Sequence, residues 1–267
     1  MMVGIDGSSR FLRARSVFKS AVAIPLFLVG CATAPSFRPT GVVSAGIDTC
    51  QRIVSDRTEL SSLRALIEAT LHPSRSESVS FRYGVVSKEP GLLRIDVLPL
   101  EGAYTLGMIV VRPEGATVID TQEQKFSEAT DAEELLQRFL GLRGLTPSVI
   151  QALVTRQVPK LRCEEVAVYS SANMTATLVD TRHHVAWEID TTSRLVHAVQ
   201  LLDVDNERVE ARAEIVGTAQ QNPEIRFSVY VPISTSAEMV VRKISLNPPV
   251  SDQLFHVQVP RGYQRED

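Results

Sequence analysis

The sequence is poor in the residues that do most chemistry. Its 267 residues hold three cysteines, one tryptophan and five histidines, and only 6% are aromatic. The cysteines, Cys31, Cys50 and Cys163, are too far apart to pair at metal-ligand spacing. There is no GxSxG elbow, HExxH pair, phosphate-binding loop or GxGxxG turn. Without a nucleophile–base signature the chain reads as a non-enzyme, with no metal and no cofactor. The one histidine pair, His183-His184, would point to opposite faces if on a strand, which suits no single ion, and it reads as a turn flank near the solvent. Charge of one sign is lacking too. Lys plus Arg is 28 and Asp plus Glu is 31, a net of −3. Four of those basic residues and one acidic residue precede Cys31, so the net charge without that segment is about −6. That balance excludes nucleic acid as a partner. The run Ala21–Gly30 is too short to cross a bilayer as a helix.

What the N-terminus does have is an address. Arg10, Arg13, Arg15 and Lys19 precede the apolar run Ala21–Gly30, the charged and hydrophobic halves of a secretory signal over residues 1–30. Leu28-Val29-Gly30-Cys31 resembles the bacterial lipobox. The resemblance implies that Cys31 is lipidated and becomes the first residue of the mature chain. Ala32, not Asp, follows it, which by the same resemblance implies the outer membrane, with the domain facing the periplasm. Residues 31–46, rich in Ala, Pro, Ser, Thr and Gly, read as a flexible tether. In an oxidising compartment Cys50 and Cys163 either form a disulfide or remain two separate buried thiols.

The rest, residues 47–263, reads as one mainly β domain with helices, an α+β class. Ile53, Leu60, Leu63, Ile67 and Leu71 recur at helical spacing, predicting a helix over Ile47–Leu71 that ends at His72-Pro73. Val79, Phe81, Tyr83 and Val85 alternate with polar residues as a strand. Leu93, Ile95 and Val97, then Tyr104, Leu106, Met108 and Val110, read as a strand pair around Pro99-Leu100-Glu101-Gly102. A further strand is predicted around Thr117–Asp120. Two short helices follow, one capped by Thr130 with Glu133, the other by Thr146 with Pro147. After Cys163 come seven short strands, clearest at Arg208–Val216, where Val209, Ala211, Ala213 and Ile215 oppose Glu210, Arg212 and Glu214. One dry and one wet face predict a single sheet wrapped around an apolar interior. A last strand is predicted at Phe255–Val259.

Three stretches together resemble the LolA/LolB lipoprotein-localisation family. The first is Leu92–Val111 with Pro99-Leu100 and Gly102, where LolB-like receptors carry a protruding Pro-Leu-Gly loop; here Glu101 is inserted. The second is Asp131–Leu136 through Gly141-Leu142, Pro147 and Val158-Pro159. The third is Leu254–Gly262. Glu89-Pro90 departs from the Arg-Pro of the carriers, and the lipobox favours the anchored, LolB-like branch. The resemblance implies an incomplete, strongly curved antiparallel barrel with a helical lid. It implies binding of lipoprotein acyl chains or another lipid in an apolar cavity, with a LolA-like periplasmic carrier as donor, and a monomer. Strand faces nominate Phe81, Tyr83, Leu93, Ile95, Leu106, Met108, Trp187, Val199 and Phe227 as cavity wall or, alternatively, plain packed core. Leu100 either touches lipid or folds back onto the sheet. A second reading is a structural or assembly lipoprotein of the envelope that reuses the fold.

Overall fold

Alternation of apolar and polar residues sets the architecture. The computed structural model describes residues 34–39, 42–43, 46–55, 59–73, 77–102, 104–140, 146–170, 174–217, 223–230 and 235–266. The signal reading and Cys31 lie outside them. Among the described residues, fifteen strands form one sheet. In chain order they are β1 (Val42–Val43), β2 (Ser62–Pro73), β3 (Val79–Lys88), β4 (Leu92–Pro99), β5 (Gly107–Arg112), β6 (Gly115–Asp120) and β7 (Lys125–Ala129). Then come β8 (Val166–Ser170), β9 (Thr175–Asp180), β10 (Val185–Asp190), β11 (Val196–Leu202), β12 (Val209–Val216), β13 (Glu224–Val229), β14 (Thr235–Leu246) and β15 (Gln264–Arg265). Two antiparallel meanders, β2–β7 and β8–β14, are joined by the long β14–β2 pairing, Leu246↔Leu63 to Thr235↔Pro73.

The sheet does not close. β1 lies on the β8 edge, and β15 lies parallel on the β7 edge. Each open edge is thus covered by a short piece of chain terminus, which blunts strand addition by other chains. Register shifts at Glu188/Ile189, Leu201/Leu202 and Val241/Lys243 add local bend and twist. One face carries the core: Leu63, Ala65, Ile67, Val85, Leu93, Val111, Val118, Leu178, Trp187, Val199, Ala213 and Ile225 are buried in one cluster. Alanines at 65, 69, 176, 211, 213 and 237 keep that inner surface shallow, which leaves volume for helices.

Three helices use the volume. α1 (Ile47–Ser55) buries Cys50 and Ile53, and α2 (Ala132–Leu140) buries Leu135 and Leu136 against β6 and β7. α3 (Pro147–Thr155) buries Val149, Ile150, Leu153 and Val154. Its start is capped by Thr146, whose Oγ1 accepts from the Val149 N–H at 3.3 Å. The Gln151 Nε2 donates to Ser87 Oγ on β3 at 3.1 Å, while Arg156 O accepts from Val196 N–H on β11 at 2.8 Å. α3 therefore spans the interior from one meander to the other. A disulfide joins Cys50 to Cys163, tying α1 to the chain just before β8.

Several expectations need correction. The helix predicted over Ile47–Leu71 stops at Ser55, and Ser62–Pro73 is β2. Leu63, Ile67 and Leu71 are four apart, a spacing that fits both periods. Ala65 and Ala69 fill the strand row between them. The second helix is capped by Asp131, not Thr130: Asp131 Oδ1 accepts from the N–H groups of Glu133 and Glu134. Phe255–Val259 is not a strand. A 3₁₀ turn, Asp252–Phe255, buries Phe255, and the carbonyls of Leu254 and Phe255 accept from Arg94 and Arg112 side chains instead of a neighbouring strand. The described part of the tether expected over 31–46 lies against the sheet. Val209 N–H donates to Pro35 O, Phe37 N–H donates to Glu207 O, and Phe37 packs on a cluster of Val179, Ala186, Leu202 and Val209. The neighbours of those residues, Leu178, Trp187 and Leu201, face the core, so the segment lies on the outer face of the sheet.

Candidate functional site

The register sorts the nine nominated cavity residues. Phe81, Tyr83, Leu93, Ile95, Trp187, Val199 and Phe227 occupy inner-face positions, as the pairs Tyr83↔Val97, Ile95↔Ile109, Trp187↔Val199 and Ala213↔Phe227 show. Met108 does not. It pairs with Asp96 and Ile119 on the outer face, because β5 is phased by Ile109 and Val111. Leu106 precedes β5 and joins the inner surface through its own cluster with Phe81 and Val97. Tyr104, expected to begin that strand, is outside it and 58% exposed.

Burial then splits the inner-face residues into two groups. Leu93, Trp187 and Val199 are 0%, 2% and 1% exposed in the main core. They are packed core, not an open wall. Tyr83, Ile95 and Phe227 are half-buried at its margin. Beyond them, Phe81, Val97 and Leu106 form a separate small cluster with half-buried Leu71, Val79 and Tyr83.

These residues sit at one end of the barrel. The antiparallel meanders place the β2–β3, β4–β5, β9–β10, β11–β12 and β13–β14 connections at the same end. α3 crosses near the opposite end, beside Ser87, Leu195 and Gly217. At the first end the register gives two transverse rows across the sheet: Phe227–Ala237–Leu71–Val79, and Ile225–Met239–Ala69–Phe81–Pro99. Five strands span about 19 Å at a strand spacing of ~4.8 Å. Small Ala237 and Ala69 lie in the middle of rows bounded by larger Phe227, Phe81 and Met239. The result is a shallow apolar trough whose floor residues Ala69, Ala237 and Phe81 are buried and whose margin residues Leu71, Val79, Tyr83, Phe227 and Met239 are half-buried. Burial pushes the Tyr83 phenol up to about 12, so it stays neutral there at any ordinary pH.

The nominated loop forms the rim of this trough. Arg82 reaches from β3 to hold it, Nε donating to Pro99 O at 3.1 Å and Nη2 to Gly102 O at 2.7 Å. Gly102 takes φ +108°, and a Cβ there would come within 3.1 Å of the Tyr104 ring. So Pro99 and Gly102 shape the loop, and Leu100 is left 49% exposed at its tip beside Glu101. It does not fold back into the sheet. Sequence reasoning missed Arg82, Leu71, Val79, Ala237 and Met239. An Arg among alternating residues carries no signal of its own, and Leu71 was assigned to a helix.

Little here suits polar chemistry. Among the described residues no three His, Cys, Asp or Glu side chains gather as a metal site. His183 and His184 lie in the β9–β10 turn, as a turn flank should; their Nδ1 atoms meet Asp180 Oδ2 at 2.8 Å and Asn206 Oδ1 at 3.2 Å. An open groove beside Glu164, Glu165, Thr181 and Arg182 is polar. Buried in the core, the Trp187 indole N–H meets no acceptor among the described residues. No helix among them is long and apolar enough to cross a membrane.

The fold has clear relatives among solved structures. A LolA superfamily protein from Nitrosomonas europaea matches over 81% of this chain and 99% of its own, at 12% identity and a TM-score of 0.52. A DUF1329 family protein from Desulfovibrio piger matches over 81% and 98%, at 11% identity and a TM-score of 0.56. No protein-family profile matches the sequence, and no curated protein matches it. The chain is thus a mostly β protein with the open, curved sheet of the LolA-like fold.

Proposed function

We propose that this protein is an outer-membrane lipoprotein, anchored through acylated Cys31, that takes lipoprotein acyl chains into its apolar trough and passes them to the membrane. A LolA-like periplasmic carrier is the donor, and the protein acts as a monomer without metal, cofactor or covalent chemistry. The observation that carries this reading is the trough itself: half-buried Leu71, Val79, Tyr83, Phe227 and Met239 at the helix-poor end of a barrel whose remaining interior is packed. These side chains already hide most of their surface, so a ligand that covers the rest gains only a fraction of the roughly 1.5–3 kcal/mol of full burial at each, and the trough binds through their sum. Transfer then needs only a graded affinity between two apolar surfaces, with about 1.4 kcal/mol for each tenfold step. The LolA-like fold and the lipobox support the reading, and the exposed Leu100 supports the LolB-like branch, with Leu100 meeting lipid during release.

One observation favours a second reading. Leu93, Trp187 and Val199 are sealed beneath the helices, so the interior is not one large cavity. An assembly lipoprotein that uses the fold as an interaction module would need no cavity at all. Depletion of the protein followed by membrane fractionation separates the two. Lipoproteins accumulating outside the outer membrane fit the receptor. Unchanged outer-membrane lipoproteins sink it in favour of the assembly role.

A further inference from the structure

The outer-face N-terminal segment fixes an orientation as well as covering the sheet. We infer that residues 34–39 are a strap that turns the trough end of the barrel onto the lipid bilayer, with Leu100, Tyr104 and Val204 as the contact surface. The inference rests on Cys31 being the acylated residue.

The strap is bonded at one place only along the barrel's length. Pro35 O accepts from Val209 N–H at 2.9 Å, and Phe37 N–H donates to Glu207 O at 2.6 Å; both partners stand at the start of β12. That is the trough end, since Leu202↔Val209 closes the same turn that carries exposed Val204. Three residues lie between Cys31 and Pro35, which makes four Cα-to-Cα steps. Fully extended, they reach ~14 Å. β12, Val209–Val216, is about 27 Å long at ~3.4 Å per residue. With the opposite end down on the membrane, Val209 would stand beyond the reach of the anchor. A barrel lying flat on β12 would press Glu210, Arg212 and Glu214 against lipid, which carries a desolvation cost. Only the trough-end-down pose keeps the anchor within reach and brings apolar groups, Leu100 (49% exposed), Tyr104 (58%) and Val204 (58%), to the surface. Exposed Met174 and Leu246 lie at the other end and are directed to solvent in this pose. Glu101, Asp203, Asp205 and Glu207 stand around that surface together with Arg182 and Arg208, a mixed-charge rim that needs no anionic lipid.

The test uses the full, lipidated chain floated on phosphatidylcholine vesicles with brominated acyl chains. Trp187 is replaced by Phe, and one tryptophan is placed at Leu100, Val204, Met174 or Leu246. Bromine quenching is expected at 100 and 204, several-fold stronger than at 174 and 246. Inserting about twenty Gly and Ser residues between Thr33 and Ala34 is expected to leave flotation intact and abolish that difference. Equal quenching at both ends, or an end difference that survives the insertion, overturns the strap while leaving the anchor standing. Failure of the intact chain to float overturns the anchor and the strap with it.

Discussion

Gly115, at the start of β6, has no room for a side chain. Its φ is +144°, and a Cβ there would meet the Ala129 carbonyl oxygen at 2.3 Å, a backbone atom that cannot swing aside. Gly91 has φ +67° with nothing within 4 Å. Gly91→Ala should therefore cost only the left-handed penalty of about 1 kcal/mol, and Gly115→Ala roughly 3 kcal/mol or more, read as urea midpoints. Glu188 makes a second residue-level prediction. Desolvation opposes its ionisation, but hydrogen bonds from His197, Arg212 and Gln200 and the Arg212 charge outweigh it and hold the carboxyl at about 2, from 4.5. A depressed carboxyl adds stability that is complete above its unfolded value and is lost as pH falls through the folded one. After solvent screening of this partly exposed group, about 1–2 kcal/mol should disappear between pH 4.5 and pH 2, and Glu188→Gln should flatten stability across that window. At this scale the sequence was only partly legible. Alternation put seven of nine nominated residues on the inner face. Met108 was misphased because Met108, Ile109, Val110 and Val111 are all apolar, so either register reads as dry.

Among the elements, the strands after Cys163 are the most readable, since Asn, Asp and Thr turns bound the runs and one face of β12, β13 and β14 is charged. β2 was the least readable. Leucines four apart satisfy both periods, and the alanines that would break the tie carry little apolar weight. β1, β7 and β15 left no pattern: two are only two residues long, and Lys125–Ala129 buries just Ser127. The trough was hidden for the same reason as β2, because Leu71 and Ala69 belong to that strand. α1 packs through Cys50 and Ile53 and is tied to Cys163 across a separation of 113 residues. Cys50→Ser with Cys163→Ser should lower stability by roughly 2–5 kcal/mol. Because α1 lies away from the trough rows, acyl binding by the folded variant should change little. A midpoint unaffected by the double substitution would show that the bond does not constrain the oxidised chain.

At the scale of the whole molecule, two meanders join at β14–β2, three helices fill most of the concave side, and one end is left apolar and half-buried. Residues 34–39 brace the outer face, and Val42–Val43 and Gln264–Arg265 cover the free edges, so the open end is not a fraying edge but a framed mouth with an Arg82-held rim. The barrel class was legible from strand spacing and turns. The extent of its filling was not, because how far helices enter a curved sheet depends on side-chain volumes across strands remote in sequence. The central claim is that the mouth holds an acyl chain. Its most direct measurement is the affinity of the purified protein for a fluorescent long-chain fatty acid, compared with Leu71→Trp, which fills the trough at a half-exposed position. The account predicts saturable binding by the wild type and at least tenfold weaker binding by the variant, about 1.4 kcal/mol, at unchanged melting temperature. No binding by the wild type, or equal affinity in the variant, would contradict it.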